Sequence, residues 1–233
     1  ARAGDKGMSV EKTFFYSEER KEWANIGFVQ DSDGFCIIGF DKKLSKGTTF
    51  KIAVLYKGIP ADGLIISKNK YGKRTFFADN WPNRAHNWIP CVDDPAEKAT
   101  VEFLVTAPSH YQVISNGVQV EETNLPDNKK LTHYKEDVPL PTKIMVIGVA
   151  DFAVNLAGEI NCVPVYSWVY PENKKDGFYD YALAKDILSF YISYIGPFPY
   201  KKLANVQSKT IFGGMENAGA IFYSESSVTG TRQ

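Results

Sequence analysis

Only one stretch of the chain, from about Gly177 to Ile195, repeats its apolar residues at helical spacing. There Tyr181, Ala184, Leu188, Tyr191 and Ile195 recur with Ile187 beside them, Asp176 stands ready to cap the start, and Gly196-Pro197 stops the end. Up to about residue 156 the apolar residues come instead in short β-prone runs fenced by Gly, Asp, Asn and Lys. FCIIGF (Phe35 to Phe40) and FKIAVLY (Phe50 to Tyr56) are two of these. ATVEFLVTAP alternates, with Val101, Phe103 and Val105 on one side. YQVISNGVQV sets Asn116-Gly117 between two β-prone arms, a type I′ hairpin signal. LTHYKE and KIMVIGVA continue the series. A chain of this texture fills its core mainly from strands, in an antiparallel sandwich or an open, saddle-like sheet.

Local signals refine the outline. DDPAEKA reads as one short helical turn, with Asp94 as N-cap and Pro95 first inside. Upstream, FFADNWPNRAHNWIPC (Phe76 to Cys91) is too irregular for a strand and too aromatic for a flexible linker, so it reads as a long ordered loop. Near Ala157-Gly158 the texture changes. NCVPVYSWVYP is extended, with Pro164 pointing to an edge position. The helix follows, then a strand through Leu203 to Phe212, and GAIFYSE resumes extended structure. Two units result: a β-rich domain over 1–156 and the opening of an α+β domain over 157–233.

Composition excludes several function classes. Lys plus Arg and Asp plus Glu both number 27, so no net field favours nucleic acid or an anionic membrane. The longest apolar run, Ile144 to Ala150, is far too short to span a bilayer. Cys36, Cys91 and Cys162 are odd in number and widely spaced, which reads as buried reduced thiols rather than a disulfide framework or a metal site. His86, His110 and His133 include no helical pair at i, i+4. The Lys-rich spots, Lys68 to Lys73 and Lys201-Lys202, read as solvated turns.

The stretch FGGMENAGAIFY, Phe212 to Tyr223, stands apart because it places a charge among small and apolar residues. By residue type alone, Gly213-Gly214 and Asn217-Ala218-Gly219 make turns and Glu216 points into water. A second reading rests on geometry. Bare glycines let another backbone approach, a neighbouring strand pairs with an extended peptide, and a carboxylate at its end receives an ammonium group.

The same residues resemble the Gly-x-Met-Glu-Asn exopeptidase signature of zinc aminopeptidases of the aminopeptidase N and leukotriene A4 hydrolase type. WIPCVDDPAEKATVEFLVTAPSHYQVISNG, FKIAVLYKG and DILSFYISYIGPFPYKKLANVQ are similar to further blocks of that family, in its order, from roughly Phe50 to Tyr223. The resemblance implies a β-rich N-terminal domain followed by the opening of a thermolysin-like catalytic domain. It implies that Gly213, Gly214, Met215, Glu216 and Asn217 bind a peptide substrate with a free N-terminus, Glu216 holding the α-amino group. Gly214 stands where many members have Ala.

Two departures accompany it. The family's second amine-binding Glu or Gln falls here on Trp81, with Asp79 and Asn80 just before it as alternatives; packed aromatic structure is the competing reading of that loop. The His-Glu-x-x-His helix that carries zinc is absent, and its ligands are expected beyond residue 233, in the rest of the parent chain. The N-terminus is read as lacking the family's first strands. A non-catalytic scaffold or protein-interaction relative of the same fold is the alternative function.

Overall fold

The computed structural model describes residues 7–41 and 43–232. They divide into two compact units, one formed by the residues up to Gly63 with His86–Cys91, the other by Leu64–Ala85 with residues from Val92 onward. In the first unit, β1 (Gly7–Ser17) lies between β2 (Glu22–Asn25) and β5 (Ile52–Ile59), antiparallel to both. β3 (Phe28–Gln30) and β4 (Cys36–Ile38) form a separate ribbon. The alternating pattern pays out as an aromatic cluster: Phe15 and Phe50 both meet the Phe40 ring edge-on at 5.5 Å.

The second unit holds three sheets. β6 (Leu64–Lys68), β7 (Arg74–Ala78), β12 (Ile147–Ala150) and β9 (Gln112–Ser115) form a four-stranded antiparallel sheet in that order. β8 (Lys98–Pro108) and β10 (Val118–Leu125) flank β11 (Lys129–Pro141). The third sheet runs β13 (Ala153–Ile160), β14 (Val163–Val169), β15 (Leu203–Ser208), β17 (Ala220–Ser224) and β16 (Gly214–Asn217). Its central pairs, β14–β15 and β15–β17, are parallel and its outer pairs antiparallel. The fold is therefore mainly β with mostly antiparallel pairing, as the strand pattern predicts.

Several local expectations are corrected. Asn116-Gly117 does not close a hairpin: β9 pairs with β12 and β10 with β11, so the dipeptide carries the chain from one sheet to another. A type I′ turn needs positive φ at both residues, and only Gly117 has it, at +68°. Asn116 instead spends its side chain on distant backbone. The hairpin lies between β10 and β11, where Asp127 and Asn128 take φ of 59° and 53°. DDPAEKA makes a single turn rather than a helical one: the Ala96 N–H donates to Asp94 Oδ1 at 2.8 Å and the Glu97 N–H to the Asp94 carbonyl. Pro164 sits in an interior strand, but β15 joins β14 only from Val165, so the missing N–H costs no ladder bond there.

The helical stretch is two helices, α1 (Lys174–Tyr181) and α2 (Leu183–Tyr194), broken at Ala182. Helix α1 starts before Asp176, which lies in its first turn and caps nothing. On α2 the sheet-facing row is Ala184, Leu188 and Ile192, packed with Val163, Val165, Leu203 and Ile221. Tyr191 and Ile195, expected on the buried stripe, are exposed. They join Ile187, Phe190 and Tyr194 in an apolar outer face, where the Phe190 and Tyr194 rings stack at 5.7 Å. On the sheet's opposite side Phe222 meets Phe77 at 5.7 Å and Trp168 meets Phe152 at 5.6 Å. Among the described residues no helix is long and apolar enough to cross a membrane.

Candidate peptide-binding edge

Met-Glu-Asn is not a loop. Gly214 to Asn217 form β16, the last strand of the five-stranded sheet, paired on one side only. The register is Gly214 with Tyr223, Met215 with Phe222, Glu216 with Ile221 and Asn217 with Ala220. The Ser224 N–H donates to the Gly213 carbonyl at 3.0 Å, which fixes the alternation. Residues 213, 215 and 217 bond inward to β17. The N–H and C=O of Gly214 and Glu216 therefore point to the open edge, the arrangement that strand addition by an extended peptide requires.

Neither glycine at the start of this strand is required by the protein's own packing. A Cβ on Gly213 would meet nothing within 4 Å, and one on Gly214 would make an ordinary 3.5 Å contact with Tyr223. Neither has positive φ. Gly219 differs: its φ is +66°, and a Cβ would lie 3.0 Å from the Lys202 carbonyl oxygen. The hairpin turn needs its glycine, whereas the packing of the described residues does not demand one at Gly213 or Gly214.

Glu216 is exposed and shares a sheet face with Ile221 and Tyr223. Among the described residues it makes no hydrogen bond or ion pair. Its charge adds to burial in raising the Tyr223 hydroxyl above the usual tyrosine range, and that hydroxyl donates to Asn205 Oδ1 at 3.2 Å. Met215 and Asn217 lie on the other face with Phe222 and Ala220, and Asn217 is buried. Of the five signature residues, Glu216 thus offers its side chain on the helix-covered face, and Gly214 offers main chain at the edge.

Both ends of the strand are tethered. Asp79 is buried at 2% exposure; Arg84 donates to its Oδ1 at 2.6 Å, and the Thr210 hydroxyl to its Oδ2 at 3.1 Å. Asn80 is fully buried and donates through Nδ2 to the carbonyls of Thr142 and Met145 at 3.1 and 2.6 Å. The structure thus brings the Asp79 loop against the segment leading into β16, with Trp81 edge-on to Phe212 at 5.5 Å. The side chains of Asp79 and Asn80 serve internal partners there.

At the other end, Asn116 Nδ2 donates to the carbonyls of Ala218 and Ile144, both at 2.9 Å, while its Oδ1 accepts the Val146 N–H at 2.7 Å. Lys202 Nζ donates to the carbonyls of Ser115 at 2.7 Å and Gly219 at 3.2 Å. Sequence reasoning missed both residues. Asn116 carries a turn signature, and nothing distinguishes Lys202 from Lys201 beside it, yet Lys202 is buried while Lys201 is a solvated partner of Asp137.

Among the described residues no three His, Cys, Asp or Glu side chains converge as a metal site, so they do not fit a zinc centre and no chemical step is assigned to one here. What the residues build is an open strand edge that carries an exposed carboxylate.

Residues 5–144 match the Peptidase M1 N-terminal domain. Human glutamyl aminopeptidase is 26% identical over 164 residues, covering 70% of this chain and 17% of the relative. Aminopeptidase A of Gloydius brevicauda is 26% identical over 210 residues, 86% of this chain and 22% of its own. Aminopeptidase N of Oryctolagus cuniculus is 30% identical over 150 residues, 62% and 16% respectively. The chain spans about a fifth of the length of these relatives. With the family domain matched over more than half of its residues, the chain belongs to the peptidase M1 family.

Proposed function

We propose that this chain is part of a zinc-dependent aminopeptidase that releases the N-terminal residue of peptides. In this reading the segment binds the substrate and the metal ligands lie outside residues 1–233. Residues 157–233 open the catalytic domain, and the β-rich part before them is the N-terminal domain. The substrate backbone adds to β16 through the outward groups of Gly214 and Glu216. The Glu216 carboxylate then receives the substrate's ammonium group, so the site reads chain ends rather than chain interiors.

One observation carries the reading. At the open edge stand a carboxylate without a hydrogen-bonding or ionic partner among the described residues and two glycines that their packing does not demand. The names of the relatives, all aminopeptidases, agree with it.

The test uses the whole protein. Glu216→Ala is expected to lower kcat/KM on free-amine peptides by roughly 10- to 100-fold, the effect of losing a hydrogen bond to a charged group. Zinc content by metal analysis should stay equal to wild type. Undiminished activity on free-amine peptides would remove Glu216 from the amine site.

A further inference from the structure

The tip of the β16–β17 hairpin is gripped by two buried side chains from elsewhere in the sequence. Asn116 is 102 residues away from Ala218 in sequence and holds its carbonyl at 2.9 Å; Lys202 holds the Gly219 carbonyl at 3.2 Å. That second carbonyl also accepts the Ala204 N–H at 3.0 Å, which ties the turn to β15. Each gripping side chain is held in turn by a second element. Asn116 is fixed by the backbone of Ile144 and Val146, and Lys202 by the carbonyl of Ser115.

Such a device is expensive to keep unless position matters. A buried amine costs free energy through desolvation, and a hairpin tip bonded only to water would close the same two strands. Glu216 lies one residue before Asn217, whose pairing with Ala220 closes the turn. Movement of the tip is therefore transmitted directly to the carboxylate. Among the described residues no strand pairs with the outer side of β16, so its placement depends on β17, on the tip and on the Asp79 tether.

We propose that Lys202 and Asn116 are positioning residues for peptide binding, which clamp the Ala218–Gly219 turn and thereby set where Glu216 meets the substrate amine. The proposal rests on the assignment of Glu216 as amine anchor. It extends that assignment to two residues that touch neither substrate nor reacting atoms. The amine of Lys202 has two carbonyl partners, so even its neutral form, with two N–H donors, satisfies both.

The experiment is a double-mutant cycle in the whole protein, with Lys202→Met and Asn116→Ala each made in wild-type and Glu216→Ala backgrounds. Lys201→Met, at the exposed neighbour, is the control. In the wild-type background each clamp variant is expected to raise KM for a free-amine peptide by about tenfold, the scale of a sub-ångström to ångström misplacement, with a smaller change in kcat. In the Glu216→Ala background the same changes should cost less than about twofold, because the group they position is already gone. Equal losses in both backgrounds would mean general damage and would overturn the proposal, as would no loss in either.

Hydrogen exchange supplies the second readout and keeps the clamp testable if one variant folds poorly. The amides of residues 217 and 220 should exchange faster in whichever clamp variant folds, while the β10–β11 hairpin stays as in wild type. Unchanged protection at the tip would overturn the clamp. If Glu216→Ala itself leaves kcat/KM unaltered, the amine-anchor assignment fails, and the exchange measurement still decides whether the two residues hold the turn.

Discussion

At the scale of single residues, three glycines and one lysine show how differently the same residue types are used. Gly117 turns the chain between sheets at φ +68°, and a Cβ there would stand 1.9 Å from the Lys135 carbonyl oxygen. Gly117→Ala is therefore expected to destabilise by more than about 2 kcal/mol, read as a shift in the urea midpoint. Gly213 has open space and ordinary φ, so Gly213→Val should leave stability within about 0.5 kcal/mol while lowering kcat/KM on peptides in the whole protein. Gly219 stands with Gly117, as a position the backbone itself demands. Lys202 brings a pH dependence. Burial pushes its ammonium down to about 7, and the charge of Glu136 offsets only part of that. Tyr134, whose ring lies 5.6 Å from the amine, is kept neutral by burial. An unfolded lysine titrates near about 10.4. Between about 7 and 10 the unfolded chain thus holds a proton that the folded one lacks, and stability from this site rises with pH by at most about 1.4 kcal/mol per unit. Wild type should gain on Lys202→Met as pH climbs from about 6 to 9, which paired urea titrations would measure; a constant difference would contradict the buried site.

At the scale of elements, β16 is the piece on which the proposed recognition depends, and among the described residues it is a short strand with one open side. Its leader is held by Asp79, whose carboxylate bonds Arg84 on one oxygen and Thr210 on the other. Breaking a buried pair of this kind typically costs about 3–5 kcal/mol. Asp79→Ala should show a loss of that order in chemical denaturation, with faster exchange in residues 210–213. The strands were legible because alternation and turn residues are local signals, as in ATVEFLVTAP, which became β8. The signature stretch stood out in the sequence, but not as the strand that it is. Its glycines resemble a turn, and only pairing with β17, a tertiary event, extends them. Asn116-Gly117 misled for the opposite reason: a local hairpin signal was overridden by three distant backbone partners of one amide. The helix was found but joined across Ala182, since periodicity averages over a break of one residue.

At the scale of the whole molecule, the described residues form two compact units. Calorimetry on the 233-residue chain is expected to depart from two-state unfolding, with a calorimetric enthalpy above the van't Hoff value. The family could be read from motifs spread along the chain, whereas among the described residues no His, Cys, Asp or Glu cluster forms a metal site. The outer face of α2 has a practical consequence. Phe190 and Tyr194 are 59% and 78% exposed, with Ile187, Tyr191 and Ile195 around them. Handled by itself in solution, this segment should be sticky: it should light up environment-sensitive dyes, self-associate as it is concentrated, and salt out early, all of which charged substitutions at Phe190 and Tyr194 would relieve.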